Sequence, residues 1–127
     1  MDIDMSSANL QMTAAQFSDA GQPFLSARRV AETLGVTLTE LGALTGLARN
    51  TLTAPSGARR VDGALSPLVR IIAMAAEMAG DEGRAAIWFK HQPIPGWAGK
   101  TAFDLVRERK AGKVLAYLEA VRAGVYA

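Results

Sequence analysis

The feature that most constrains this chain is its punctuation. Stretches with apolar residues at i, i+3, i+4 and i+7 recur, each opened by a residue suited to a helix start and most closed by glycine. In LSARRVAETLG, Ser26 is placed to cap, Ala27, Val30, Ala31 and Leu34 form one face, and Gly35 supplies a left-handed stop. In VTLTELGALTG, Thr37 and Glu40 stand in the relation of a capping box, Leu38, Leu41 and Leu44 face inward, and Gly46 ends the helix. LARNTLTA follows as a short helix over Leu47 and Leu52, held to about two turns because Pro55 has no amide hydrogen and Gly57 costs helix entropy.

The segment SGARRVDGA reads as a loop. LSPLVRIIAMAAEMAGDEG then reads as the central core helix, with Ser66 as cap, Pro67 at the first helical position, Leu68, Ile71, Ile72, Ala75 and Ala79 as the stripe, and Gly80 as stop. Asp81 is placed to cap a helix running through RAAIWFKH to Pro93, and QPIPGWAGK is a connection. Thr101 and Asp104 repeat the capping pattern in TAFDLVRERK, with Phe103 and Val106 inward. GKVLAYLEAVRAG places Val114, Leu115, Leu118 and Val121 on one face and ends at Gly124. The sum is about seven helices and no convincing strand.

The expected fold class is therefore all-α: a compact helical domain with a helix-turn-helix-like part over 25–65 and a C-terminal helical part over 66–127. Residues 1–24 read as a mobile leader, with three acids and no base; Leu10, Ala14 and Phe17 are spaced for a short helix that is not counted among the seven. Composition agrees. Half of the 127 residues are hydrophobic and only 6% aromatic, so the core must come from Leu, Ile, Val, Ala and Met, which favours helices.

With no cysteine, disulfides, thiolate metal sites and a cysteine nucleophile are excluded. No segment reaches the ~20 uninterrupted apolar residues of a membrane helix, and the start MDIDMSSANL is acidic where a secretory signal is basic, so a soluble, cytoplasmic protein is expected. The net charge of +2 divides into −3 over residues 1–24, +2 over 25–80 and +3 over 81–127. A mildly basic body permits contact with nucleic acid without demanding it.

A helix-turn-helix needs a small residue where its second helix crosses closest, a turn glycine four residues later, and apolar residues that lock the pair. Gly42, Gly46, Leu41, Leu47 and Leu52 occupy those places, although a plain helical hairpin also favours a turn glycine. If the unit reads DNA, Arg49, Asn50, Thr51 and Thr53 are suited to base edges and phosphates. Arg28, Arg29, Arg59 and Arg60 would then be phosphate clamps, and so few charges call for a dimer. His91, the only histidine, has no partners at metal or triad spacing; there is no close carboxylate pair and no glycine-rich phosphate loop. No catalytic residue, no metal ligand and no cofactor is expected, and the chain reads as a non-enzyme. Trp88 reads as a core peg, and Trp97, between Gly96 and Gly99, as either a core peg or an exposed contact.

AIWFKHQPIPGWAGKTAFDLV, followed by VLAYLEAVRAGVYA, resembles the toxin-binding domain of the Xre/MbcA/ParS antitoxins. That family's pattern is a Trp-led short helix, a Pro/Gly loop, a Gly-Lys/Arg-Thr/Ser-Pro-x-Asp-Leu segment and a closing Leu-x-x-Ile/Val-x-x-Gly-Val-Tyr/Phe-Ala. Trp88, Pro93, Gly99, Lys100, Thr101, Asp104, Leu105, Leu118, Val121, Gly124, Val125, Tyr126 and Ala127 match it, and Ala102 replaces the usual proline. That proline is a favourable first helical residue rather than a reacting group.

The resemblance implies a homodimeric antitoxin that docks on a RES-type toxin, an enzyme that degrades NAD or transfers ADP-ribose, and blocks its active site with C-terminal residues. It also implies repression of its own operon through the helix-turn-helix, with operator DNA as a second partner. On that basis Trp97, Lys100, Arg122, Gly124, Val125, Tyr126 and Ala127 are the expected toxin contacts. Because Pro55 shortens the reading helix, toxin neutralisation ranks above DNA binding; the alternative is a DNA-binding repressor without a toxin partner.

Overall fold

A computed structural model describes residues 16–125 of the chain. Leu10 and Ala14, and the tail residues Tyr126 and Ala127, lie outside them. Among the described residues there are seven helices and no extended strand: α1 (Ala27–Leu34), α2 (Leu38–Thr45), α3 (Arg49–Thr53), α4 (Ala58–Ala79), α5 (Glu82–His91), α6 (Ala102–Arg107) and α7 (Ala111–Arg122).

Helix ends follow the local chemistry. Ser26 accepts from the Arg29 amide at the start of α1, and Gly35, at φ 67°, closes it. Thr37 and Glu40 form a reciprocal capping box on α2, Asp81 accepts from the Arg84 amide on α5, and Thr101 and Asp104 form a second reciprocal box on α6. Each satisfies amides that have no partner inside the helix.

The central helix departs from expectation. α4 begins at Ala58, not after Ser66, so ARRVDGA is helical and Pro67 lies inside the helix. Pro67 removes one backbone hydrogen bond and crowds the carbonyl four residues before it, at about 3 kcal/mol. Two side chains upstream outweigh that. Val61 and Leu65 extend the apolar stripe and are 3% and 0% exposed, and burial of two such side chains stabilises by about 3–6 kcal/mol. Ser66, freed from capping, donates its hydroxyl to the Asp62 carbonyl at 2.8 Å.

The expected leader is also too long. Phe17 is fully buried, its carbonyl accepts from the Ser26 amide at 2.6 Å, and Ser18 bridges to Leu25. The Leu25 amide in turn donates to the Asp62 carboxylate at 2.8 Å. One large apolar side chain, worth about 1.5–3 kcal/mol when buried, fastens residues 17–25 to the body.

α4 is the axis of a single apolar core, burying residues from Val61 to Ala75. α5 turns by 108° from it across Gly80–Asp81 and packs back on it, as does α7. α1 packs on α5 and α4, while α2 bridges α1, α3 and α6. The junction at residue 65/66 falls inside α4, so the helix-turn-helix-like part and the C-terminal part share one core. Among the described residues, no single helix is long and apolar enough to cross a membrane.

Candidate functional site: two faces of the helical body

The first face is built on the connection from α5 to α6. Ile94 is buried and anchors it; the Ile94 amide donates to the Lys100 carbonyl at 2.8 Å and the Lys100 amide to the Trp97 carbonyl at 3.0 Å. Gly96 and Gly99 take φ of 85° and 83°, and Ala98 between them takes 52°. A chain turned this tightly needs the left-handed region, where glycine meets no penalty. The result is an ordered loop that presents Trp97 and Lys100 together. Trp97 is half-buried against the core, with the Lys110 ammonium 5.4 Å from its ring centre. The Lys100 ammonium donates to Glu108 at 2.7 Å, and Lys110 lies 3.6 Å from the same carboxylate oxygen. The hydrogen bond from Lys100 leads the causes that hold the Glu108 carboxyl below the usual glutamate range.

Arg122 is not part of this cluster. It donates to Glu77 at 2.8 Å, and it sits in the last turn of α7 whereas Lys110 immediately precedes its first turn. A 12-residue helix is about 18 Å long, so the expected toxin contacts divide between its two ends. At the Arg122 end, a groove of about 310 Å³ is lined by Met74, Glu77, Met78, Leu118, Val121 and Arg122. Gly124 there takes φ 84°, its amide donates to Val121 and the Val125 amide to Ala120. That double closure turns the chain off the helix and leaves Val125 69% exposed, the largest exposure among the big apolar side chains described.

The second face is α2, its turn and α3. A side chain at Gly42 would lie 2.8 Å from the Leu47 carbonyl, so the close approach expected at this position is present. Leu41 and Leu52 are buried and Leu47 is half-buried beneath α3. Arg49, Asn50 and Thr53 are exposed and Thr51 is partly so. Arg28 and Thr53 line a common cleft of about 170 Å³ with Asp19 and Ala58. Arg29 is already paired with Asp19 at 2.8 Å.

Arg59 and Arg60, expected in a loop, stand exposed in the first turn of α4 instead. That helix start has Gly57 before it, no side-chain cap and no acid. The uncapped helix start and two exposed guanidinium groups give this end of α4 a positive bias, with Asp62 the nearest acid.

His91 ends α5 in solvent, and among the described residues no group of histidine and carboxylate side chains is gathered for a metal. Trp88 stacks on Tyr117 with ring centres 6.4 Å apart and packs on the core, as its helix requires. Glu108, Arg109 and Lys110 escaped the sequence reading. Their one sequence signal is a charged run between two helices with no glycine before Gly112.

Residues 74–124 match the family model of the antitoxin Xre/MbcA/ParS C-terminal toxin-binding domain. The match runs from the middle of α4, through α5, α6 and α7, to the left-handed Gly124. It supports an antitoxin role and implies a toxin as partner, and the matching family is not one of enzymes. No curated protein and no solved structure matches the chain.

Proposed function

We propose that this chain is the antitoxin of a type II toxin–antitoxin module and that it binds and blocks a RES-type toxin, one that consumes NAD or transfers ADP-ribose. The observation that carries the reading is the toxin-binding match over 74–124, ending where the chain leaves α7. In this mechanism the body acts by shape. Gly124, in the left-handed conformation, directs Val125 away from the helix, and Val125, Tyr126 and Ala127 are the residues that would enter the toxin's pocket. An exposed apolar Val125 supports this, because it has surface to bury on docking.

Trp97 with Lys100, and Arg122 at the far end of α7, would flank the docked toxin. Both cations already have carboxylate partners in the free chain, so a toxin acid must replace Glu108 or Glu77 rather than meet a bare charge. Their share of the affinity is then modest. We place the complex in the cytoplasm as a homodimeric antitoxin within a hetero-oligomer. Deleting residues 124–127 is expected to abolish rescue of toxin-expressing cells while leaving the far-ultraviolet circular dichroism unchanged. A truncated chain that still rescues them refutes the reading.

A second reading, repression of its own operon, draws on the exposed Arg49 and Asn50 of α3 and the positive start of α4 with Arg59 and Arg60. Thr51, Thr53, Arg28 and, once released from Asp19, Arg29 would add contacts to base edges and phosphates. It predicts retardation of the DNA upstream of the chain's own reading frame, weakening steeply with salt. Retardation that survives Arg49→Ala with Asn50→Ala excludes α3 as the reading element.

A further inference from the structure

Between α6 and α7 the chain makes a left-handed exit without glycine. Arg109 has φ 67°, with its own amide donating to Val106 at 2.9 Å and the next amide, of Lys110, to Leu105 at 2.8 Å. This is the helix ending that glycine normally serves, because a Cβ in that conformation is crowded by the neighbouring carbonyl. An arginine held there is a conformational cost that its side chain must offset.

That side chain reaches across to the other part of the chain. Its Nη1 donates to the carbonyls of Ala43 and Leu44, each at 3.1 Å, in the last turn of α2. Carbonyls at a helix C-terminus lack partners within the helix and carry partial negative charge, and α2 has no basic residue of its own in that turn. The guanidinium also covers Gly46: a Cβ there would lie 2.5 Å from Nη2 and 3.1 Å from Cζ. Gly46 is the turn residue between α2 and α3, and the next residue, Leu47, makes the close contact with Gly42. The α6–α7 turn is thereby bonded on both sides, through Glu108 and Lys110 to Lys100 and Trp97, and through Arg109 to the end of α2.

We propose that Arg109 is a positioning residue, a tie by which the toxin-binding part sets the α2–turn–α3 geometry and with it the exposed face of α3. Its consequence for DNA rests on the repressor reading above. Its consequence for the turn does not.

The test uses the full chain carrying Arg109→Gly, since glycine takes this backbone conformation freely and the α6–α7 turn is kept. Amide exchange followed by NMR is expected to quicken about tenfold at Gly46 and Leu52, the change that loss of a charged hydrogen bond produces. The Lys110 and Val114 amides should stay as in the wild type. Arg109→Lys, which keeps the charge but not the fork, should recover part of the protection. Unchanged exchange at Gly46 and Leu52 overturns the tie; so does one common acceleration across all amides, which marks a merely structural residue. Retardation of the upstream DNA is expected to weaken about tenfold in Arg109→Gly. Equal retardation despite a loosened turn also overturns the positioning role. If the wild type itself retards no DNA while exchange still responds locally, the repressor reading fails and the tie stands.

Discussion

α3 and α6 are the two shortest helices among those described, five and six residues, yet they are built in opposite ways. α6 has a complete capping box at Thr101 and Asp104 and buries Ala102, Leu105 and Val106. α3 is preceded by Ala48, which offers no side-chain cap, is followed by Ala54, and buries Leu52 alone. A helix this short does not stand on its own hydrogen bonds, so its stability must come from its ends and its buried face. α6 uses its side chains internally. α3 leaves Arg49, Asn50 and Thr53 to solvent, the condition for touching something else.

The largest test of this contrast is a pair of core truncations. Leu105→Ala, at a site with 0% exposure, is expected to cost about 2–5 kcal/mol, and Leu52→Ala the lower end of that range, measured by urea unfolding. Equal losses would break the comparison. Next, Thr101→Ala should cost about 1 kcal/mol through loss of the cap and of the amide bond it satisfies. Conversely, Ala48 already has the extended backbone of a capping residue, so Ala48→Ser should add about 0.5 kcal/mol and slow amide exchange at Leu52. No gain there would mean that the tertiary contacts of α3, rather than its missing cap, limit it.

The smallest effect is with pH. The Thr101 backbone amide, donating at 3.0 Å, is the main cause that holds the Asp104 carboxyl below the usual aspartate range, with help from the Thr101 hydroxyl, Arg107 and Lys100 against burial. A carboxyl lowered on folding stabilises in full above its unfolded value, near about pH 4, and loses that contribution as pH falls through its folded value. Thermal midpoints should therefore fall more steeply below about pH 4 in the wild type than in Asp104→Asn.

The same contrast explains what could be read without coordinates. Thr37 with Glu40, Thr101 with Asp104, Ser26 and Asp81 were legible because a cap acts on amides two or three residues away. Gly42 was legible as a close approach because the partner carbonyl is five residues on. Trp97, Lys100 and Arg122 were grouped in the sequence as expected toxin contacts, but only Trp97 and Lys100 share a loop, and Arg122 stands at the far end of α7.

From its own letters, then, the chain determined an all-α architecture, most of its helix boundaries, and the segment that matches the toxin-binding family model, since all of these depend on chemistry within a few residues. Only the tertiary structure decided that α4 continues through Pro67, that Phe17 belongs to the core, and that Arg109 closes the end of α2. The physical reason is distance along the chain. Those three outcomes depend on burial or on partners up to 66 residues away, which outweighed the local cost of a proline or of a left-handed arginine.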